Sequence, residues 1–289
     1  MSSQLQVDVF VSAPVRVQTG YTELAKSIWS PTSITLIHGP KSALLVDVPT
    51  TIAQAEELAK WISETIPNKT LKYIYTTHAH PDHFMGVPIL EKIFPEAQFV
   101  ATENVVAGIK SLYVTHYEAV WPGLFPGQIH DSKPVPKSLP SSGEILLDGQ
   151  SLVAIPVGHT DNEHSSFLHV PSLRLVVSGD IVYGDCHQYF GEANTKARRQ
   201  EWLDAIDHIE ALDPQIIVPG HKRATEIDGA YLMKSTREYI HVFEKELVKA
   251  KSWETLFNRM IELYPQRWNL FILELGCKAS FGELHKNGA

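Results

Sequence analysis

Three histidines and an aspartate fall within six residues at His78-Ala79-His80-Pro81-Asp82-His83. Three more ligand-type residues, His159, Asp180 and His221, each follow a glycine that ends an apolar run. Imidazole and carboxylate donors together suit zinc, iron or manganese. Thiolates are scarce: the chain has 2 cysteines, Cys186 and Cys277, too few for a disulfide framework or a thiolate zinc site. Each strand-end glycine lets the backbone turn sharply and approach a neighbour closely, so several such ends can aim side chains at one point.

The elements that must carry these residues follow from periodicity. Val7, Val9 and Val11 alternate as a strand does, and Ser33–Ile37 and Ala43–Val48 are two apolar runs joined by the turn sequence His38-Gly39-Pro40-Lys41-Ser42, a hairpin. Thr51 to Gln54 has capping-box spacing, and Ile52, Ala55, Ala59, Ile62 and Ile66 then recur on one helical face. Leu71–Tyr75 is a strand running straight into the histidine loop, followed by a short helix to Phe94 and a strand through Gln98, Phe99 and Val100. The second half repeats the plan. Strands are expected at 145–147, 152–157, 166–170 and 173–177, a helix at 195–212, a short strand at 216–218, and helical periodicity from Gly229 to about Tyr264. Strands then helix, twice over, predicts an αββα sandwich in which two mixed sheets carry helices on their outer faces. We read residues 1–289 as a single such domain, with a helical C-terminal extension over 229–289. Residues 113–142 are rich in Pro, Gly and aromatics and show little periodicity. They read as a lid-like loop that closes over a pocket or meets a second subunit, which leaves a homodimer open.

Composition narrows the class. Apolar residues make up 44% of the 289, enough for a core, and Lys and Arg number 25 against 33 Asp and Glu, a net charge of −8. No nucleic-acid partner is expected, because that affinity comes from Lys and Arg displacing counterions. No apolar run approaches the span of a membrane helix, so no membrane partner is expected either. The N-terminal MSSQLQVDVFVSAPV has no basic flank, and with the cysteine usage a cytoplasmic location is expected.

On these residues the chain resembles a metallo-β-lactamase superfamily hydrolase over roughly Ser33 to His221. Five motifs stand in order: Asp47, the His78–His83 loop, His159, Asp180 and His221. The resemblance implies two metal ions, zinc first, with iron or manganese as alternatives. His78, His80 and His159 would hold the first ion, Asp82, His83 and His221 the second, and Asp180 both, while Asp47 would orient the histidine loop. A bridging aspartate with no cysteine ligand resembles the lactonase and glyoxalase II branches, and in general style the chain resembles fungal intracellular lactamases. Tyr183, three residues after Asp180, has the spacing of a lactonase tyrosine that assists at the reacting carbonyl.

The resemblance therefore implies a dinuclear hydrolase in which a bridging hydroxide attacks the carbonyl of a small cyclic amide or ester. Asp82 and Tyr183 are the expected catalytic side chains, Asp82 as proton relay and Tyr183 as oxyanion partner. A glyoxalase II-like thioesterase is the main alternative and would need a cationic anchor such as Arg237 or Lys234. A di-iron persulfide dioxygenase is a more distant one and would show iron and oxygen uptake; His80, where flavodiiron oxidoreductases typically carry glutamate, counts against redox use. Trp121 and Phe125 are expected to wall the pocket, Trp268 and Phe271 to be ordinary core, and His164 to be structural. Cys186 and His187 adjoin in the chain, and neighbours so placed seldom face each other, so no nucleophilic dyad is expected.

Overall fold

The computed structural model describes residues 5–283; the outermost residues of the expected 1–289 and 229–289 spans lie outside it. The first half contributes β1 (Gln6–Val11), β2 (Val15–Arg16), β3 (Ile28–Trp29), β4 (Ser33–His38), β5 (Ser42–Val46), α1 (Ile52–Thr65), β6 (Thr70–Tyr75), α2 (Val87–Ile93), β7 (Gln98–Ala101), α3 (Glu103–Thr115), α4 (Tyr117–Leu124) and β8 (Lys137–Ser138). The second contributes β9 (Glu144–Leu147), β10 (Gln150–Pro156), β11 (Ser166–Val170), β12 (Leu175–Gly179), α5 (Lys196–Glu210), β13 (Ile216–Pro219), α6 (Tyr231–Leu247), α7 (Trp253–Leu263) and α8 (Leu270–Ser280). One sheet runs β1-β4-β5-β6-β7-β8 and the other β13-β12-β11-β10-β9, with β2 and β3 forming a separate ribbon.

Period-two alternation sorts the strand side chains into three cores. Leu44 and Val46 of β5, Leu168 and Val170 of β11, and Leu175 and Val177 of β12 pack between the sheets. Their neighbours in sequence point outward. Ala43 and Leu45 meet α1 through Ala55, Leu58 and Ile62, while Val176 and Ile217 meet Trp202 and Ile206 of α5 and Tyr239 and Phe243 of α6. This is the expected αββα sandwich. The β4–β5 hairpin is antiparallel, and Thr51 caps α1 with Gln54 reciprocating.

Because β5, β6 and β7 are parallel to one another, and β12 is parallel to β13, their C-terminal ends gather along one edge of the sandwich. There the sheets are laced together: the Ser33 amide donates to the Gly220 carbonyl at 2.7 Å and the Ser166 amide to the Thr77 carbonyl at 2.9 Å.

Residues 113–142 differ from the aperiodic loop expected. Their start is the end of α3, and α4 follows at once, although Pro122 lies inside it. Pro and Gly obscured the pattern, but Tyr117 and Trp121, four residues apart, are both buried, and Trp121 and Phe125 pack on Trp29. The helical extension holds α6, α7 and also α8, which extends the helical content past Tyr264.

Candidate metal centre

At the laced edge the strands end and their side chains converge. Asp47 follows β5 in a left-handed conformation, φ 65°, and its carboxylate braces the histidine loop. Its Oδ1 accepts from the Thr77 amide at 2.8 Å, and its Oδ2 from the Thr77 hydroxyl and from His83 Nδ1, each at 2.9 Å. His78 Nδ1 donates in turn to Thr77 Oγ1 at 3.0 Å. His221 Nδ1 donates to the Pro31 carbonyl at 2.8 Å, and His80 Nε2 to Glu192 Oε1 at 3.0 Å. In each ring one nitrogen is tied outward, which fixes the tautomer and aims the other nitrogen inward.

The inward atoms form three overlapping groups: His78, His80 and Asp161; His78, His83 and Asp180; and Asp82, His83 and His221. His83 Nε2 lies 3.3 Å from Asp180 Oδ1, and His221 Nε2 lies 3.3 Å from Asp180 Oδ2 and 3.4 Å from Asp82 Oδ2. Donors that share one ion at zinc-ligand distances and tetrahedral angles stand about 3.4 Å apart. His78 Nε2, His83 Nε2, Asp161 Oδ2 and Asp180 Oδ1 are buried with no hydrogen-bond partner. Buried polar atoms are rarely left so, and divalent cations would satisfy all four. The residues present therefore fit a metal centre.

Two glycines make the convergence possible. Gly179 has φ 51°, and a Cβ there would stand 2.4 Å from Thr77 Oγ1. A Cβ on Gly220 would stand 1.9 Å from Asp180 Oδ1, so only glycine lets that chain pass behind the carboxylate.

Charge is distributed unevenly. Burial lowers the pKa of both His78 and His83; His78, which also faces His83, falls to about 3, whereas Asp180, Asp47 and Asp82 reverse the effect on His83 and lift it to about 10. Burial likewise opposes ionisation of Asp180, but His221 and His83 hold its carboxyl well below the usual range. Burial and the adjacent Asp180 push the Tyr183 phenol far up, so it is a proton donor, and its hydroxyl donates to Asp180 Oδ2.

Six of the seven expected ligands, all but His159, meet here. His159 joins none of the groups; its amide donates to Glu201 Oε2 at 3.0 Å and its Nδ1 to the Thr160 carbonyl at 2.7 Å. Asp161 stands in the group instead. Sequence reasoning missed it, although His159-Thr160-Asp161 repeats the spacing of His80-Pro81-Asp82. It also missed Trp29, whose indole donates to Asp82 Oδ2 at 3.0 Å, and Glu192 behind His80; neither lies in a motif.

The centre floors a cavity of about 990 Å³, large enough for a drug-sized molecule. Trp29, Trp121, Tyr189 and Phe271 line it, and His164, His187 and Arg198 reach it. Trp121 thus walls the pocket as expected, whereas Phe125 does not line it and Phe271, expected in the core, does. Among the described residues Arg198 is the one Lys or Arg in the lining. Arg237 instead pairs with Asp207 and Glu210 on the helix surface, and Lys234 with Glu238. Cys186 is fully buried, which pushes its thiol up to about 11, and His187 Nδ1 is engaged with the Tyr239 hydroxyl at 2.7 Å, so no nucleophilic dyad exists. No described helix is long and apolar enough to cross a membrane.

The architecture has solved counterparts. A metallo-beta-lactamase family protein from Thermus thermophilus superposes with a TM-score of 0.65 at 17% identity, covering 97% of this chain and 94% of that one. A metallo-beta-lactamase from Pontibacter korlensis gives 0.59 at 17% identity over 82% of this chain and 99% of its own. The metallo-beta-lactamase FIM-1 from Pseudomonas aeruginosa, solved in a mono-zinc form, gives 0.55 at 16% over 82% and 91%. At such identities the likeness is one of fold. No curated protein matches the chain in sequence. The profile of the metallo-beta-lactamase superfamily matches residues 27–221, from just before β3 to the last histidine of the convergent edge, and the chain belongs to that superfamily.

Proposed function

We propose that this metal-dependent hydrolase opens small cyclic amides or esters, lactams or lactones, with two zinc ions as its metals. The observation that carries the reading is the cavity lining: aromatic and aliphatic walls over the metal-binding floor, with one cationic side chain. That Arg198 already donates to the Glu192 carbonyl at 2.9 Å. A glutathione thioester carries carboxylates that need a cationic anchor, and Arg237 and Lys234 are committed elsewhere.

Bound divalent ions supply Lewis acidity and bring the pKa of water down to about 7. The chain's residues do the rest. Tyr183, a protonated donor at the cavity floor, is placed to turn its hydroxyl from Asp180 toward a substrate carbonyl oxygen and stabilise its developing charge. Trp29 and Tyr189 offer flat apolar faces to a ring and exclude water from it. Asp82 fits the proton-relay role poorly. Burial would raise its pKa, but His83 and His221 hold it well below the ordinary range, and its Oδ2 already accepts from Trp29. Its part is to hold a metal.

The test is a one-pot competition read by mass spectrometry, with zinc-loaded protein given an aryl-fused lactam, an acyl homoserine lactone and a glutathione thioester. Selective, chelator-sensitive loss of the lactam or lactone is expected. Selective loss of the thioester would overturn the cyclic-carbonyl reading.

A further inference from the structure

We propose that Asp161, and not His159, completes the ligand set of the first metal ion, beside His78 and His80. The inference rests on the metal-centre reading above and concerns only which residue closes that half of it.

Asp161 is 1% exposed, and its two carboxylate oxygens have different surroundings. Oδ1 accepts from the Thr160 hydroxyl at 3.0 Å, which fixes the carboxylate plane. Oδ2 is buried without a hydrogen-bond partner and lies 2.9 Å from His80 Nδ1 and 3.6 Å from His78 Nε2. The longer separation exceeds a hydrogen bond but suits two donors on one ion. The tautomers sharpen the point. His80 donates through Nε2 to Glu192 and His78 through Nδ1 to Thr77, so the atoms facing Asp161 Oδ2 are the remaining ring nitrogens. Both nitrogens face the carboxylate oxygen that lacks a hydrogen-bond partner, the convergence of donor atoms that a shared ion requires.

His159 is built differently. Its amide is fixed by Glu201 on α5, its ring Nδ1 is engaged by the carbonyl of the next residue, and it joins none of the three donor groups. With Asp161 in place, each ion has two imidazoles and one carboxylate: His78, His80 and Asp161 for one, His83, His221 and Asp82 for the other, with Asp180 between them. The third carboxylate makes the donor set oxygen-rich, which brings iron and manganese closer to zinc in preference.

The experiment measures bound metal rather than turnover. Unaltered chain, Asp161→Asn and His159→Ala are loaded with zinc, dialysed and assayed by mass spectrometry for ions per chain. The unaltered chain and His159→Ala should each hold about two ions, and Asp161→Asn about one, with more than about tenfold weaker affinity for the other. As a check independent of variant folding, zinc titration of the unaltered chain labelled with ¹⁵N-histidine should move the imidazole signals of His78, His80, His83 and His221 to ligated values and leave that of His159. Loss of an ion from His159→Ala with two retained by Asp161→Asn, or ligation of the His159 ring, overturns the assignment. An unaltered chain that binds no ion overturns the metal centre itself and this assignment with it.

Discussion

The floor and the walls of the cavity are built on opposite principles. On the floor the outward-facing polar atoms are held by partners that leave the inward ones aimed at a common point: Asp47 braces Thr77 and His83, the Pro31 carbonyl fixes His221, and Glu192 fixes His80. The walls come from α3, α4, α8 and the 183–198 segment, and their apolar surface is Leu112, Trp121, Tyr189, Phe271 and Leu275, set beside Ser111, Thr115, His187, Asn194 and Arg198. A partnered polar floor holds donor atoms at fixed separations, which chemistry at a metal requires. An apolar wall holds only volume and shape, which can change without disturbing the floor. The potential metal-binding side chains thus sit at strand ends and in the loop after β6, and most of the cavity's apolar surface sits on helices.

The comparison can be broken at its strongest point first. Asp180 touches both halves of the centre, so Asp180→Ala should lose both bound ions and more than about 100-fold in turnover, beyond the effect of removing an outer partner. Metal analysis beside kinetics checks it, and a variant that keeps its ions and turnover would show that the floor is not organised around that carboxylate. Asp47→Asn is milder. Asparagine tolerates the left-handed backbone there, so the metal-free fold should persist while metal affinity falls about 10–100-fold, readable by competition with a chromophoric chelator.

The wall supplies the smallest effect. Burial lowers the pKa of His187 to about 3, with Arg267 adding to the shift, against an ordinary 6.5 when unfolded. The unfolded chain therefore binds the extra proton between those values, and stability must fall as pH drops from about 6.5 toward 3. The slope for this group approaches 1.36 kcal/mol per pH unit, roughly. Urea titrations of metal-free protein should show His187→Gln less acid-sensitive by about that slope. Equal slopes would mean that the ring is not held neutral in the wall.

The same contrast explains what the sequence made legible. The floor could be read because its residues are of rare types, crowded in one loop or set after strand-end glycines, as at Gly179-Asp180 and Gly220-His221. The sandwich could be read because strand alternation and the Thr51 cap are local. Trp29, Glu192 and Asp161 could not, since their direction is set by contacts far away in sequence: Trp29 reaches Asp82 across 53 residues and Glu192 reaches His80 across 112. The helical wall was hidden for another reason. Phe271 sits at ordinary helical spacing, and nothing local separates a helix face turned to a cavity from one turned to the core. Residues 113–142 combined both problems, because Pro122 broke the pattern of a helix whose burial is decided by Trp29 and Phe125.

The lacing of the two sheets has a mechanical consequence. The amides of Ser33 and Ser166 stitch one sheet to the other at the edge that carries the ligands. The opposite margin is held as well, because Asp148 in the β9–β10 turn accepts from the Lys41 and Ser42 amides at 2.8 and 3.0 Å and from the Ser42 hydroxyl at 2.7 Å. The donor atoms therefore sit in a sandwich clamped at both ends of its strands. Sliding one sheet over the other would break bonds at both margins at once, so ångström-scale ligand separations are guarded by contacts far from the ligands themselves.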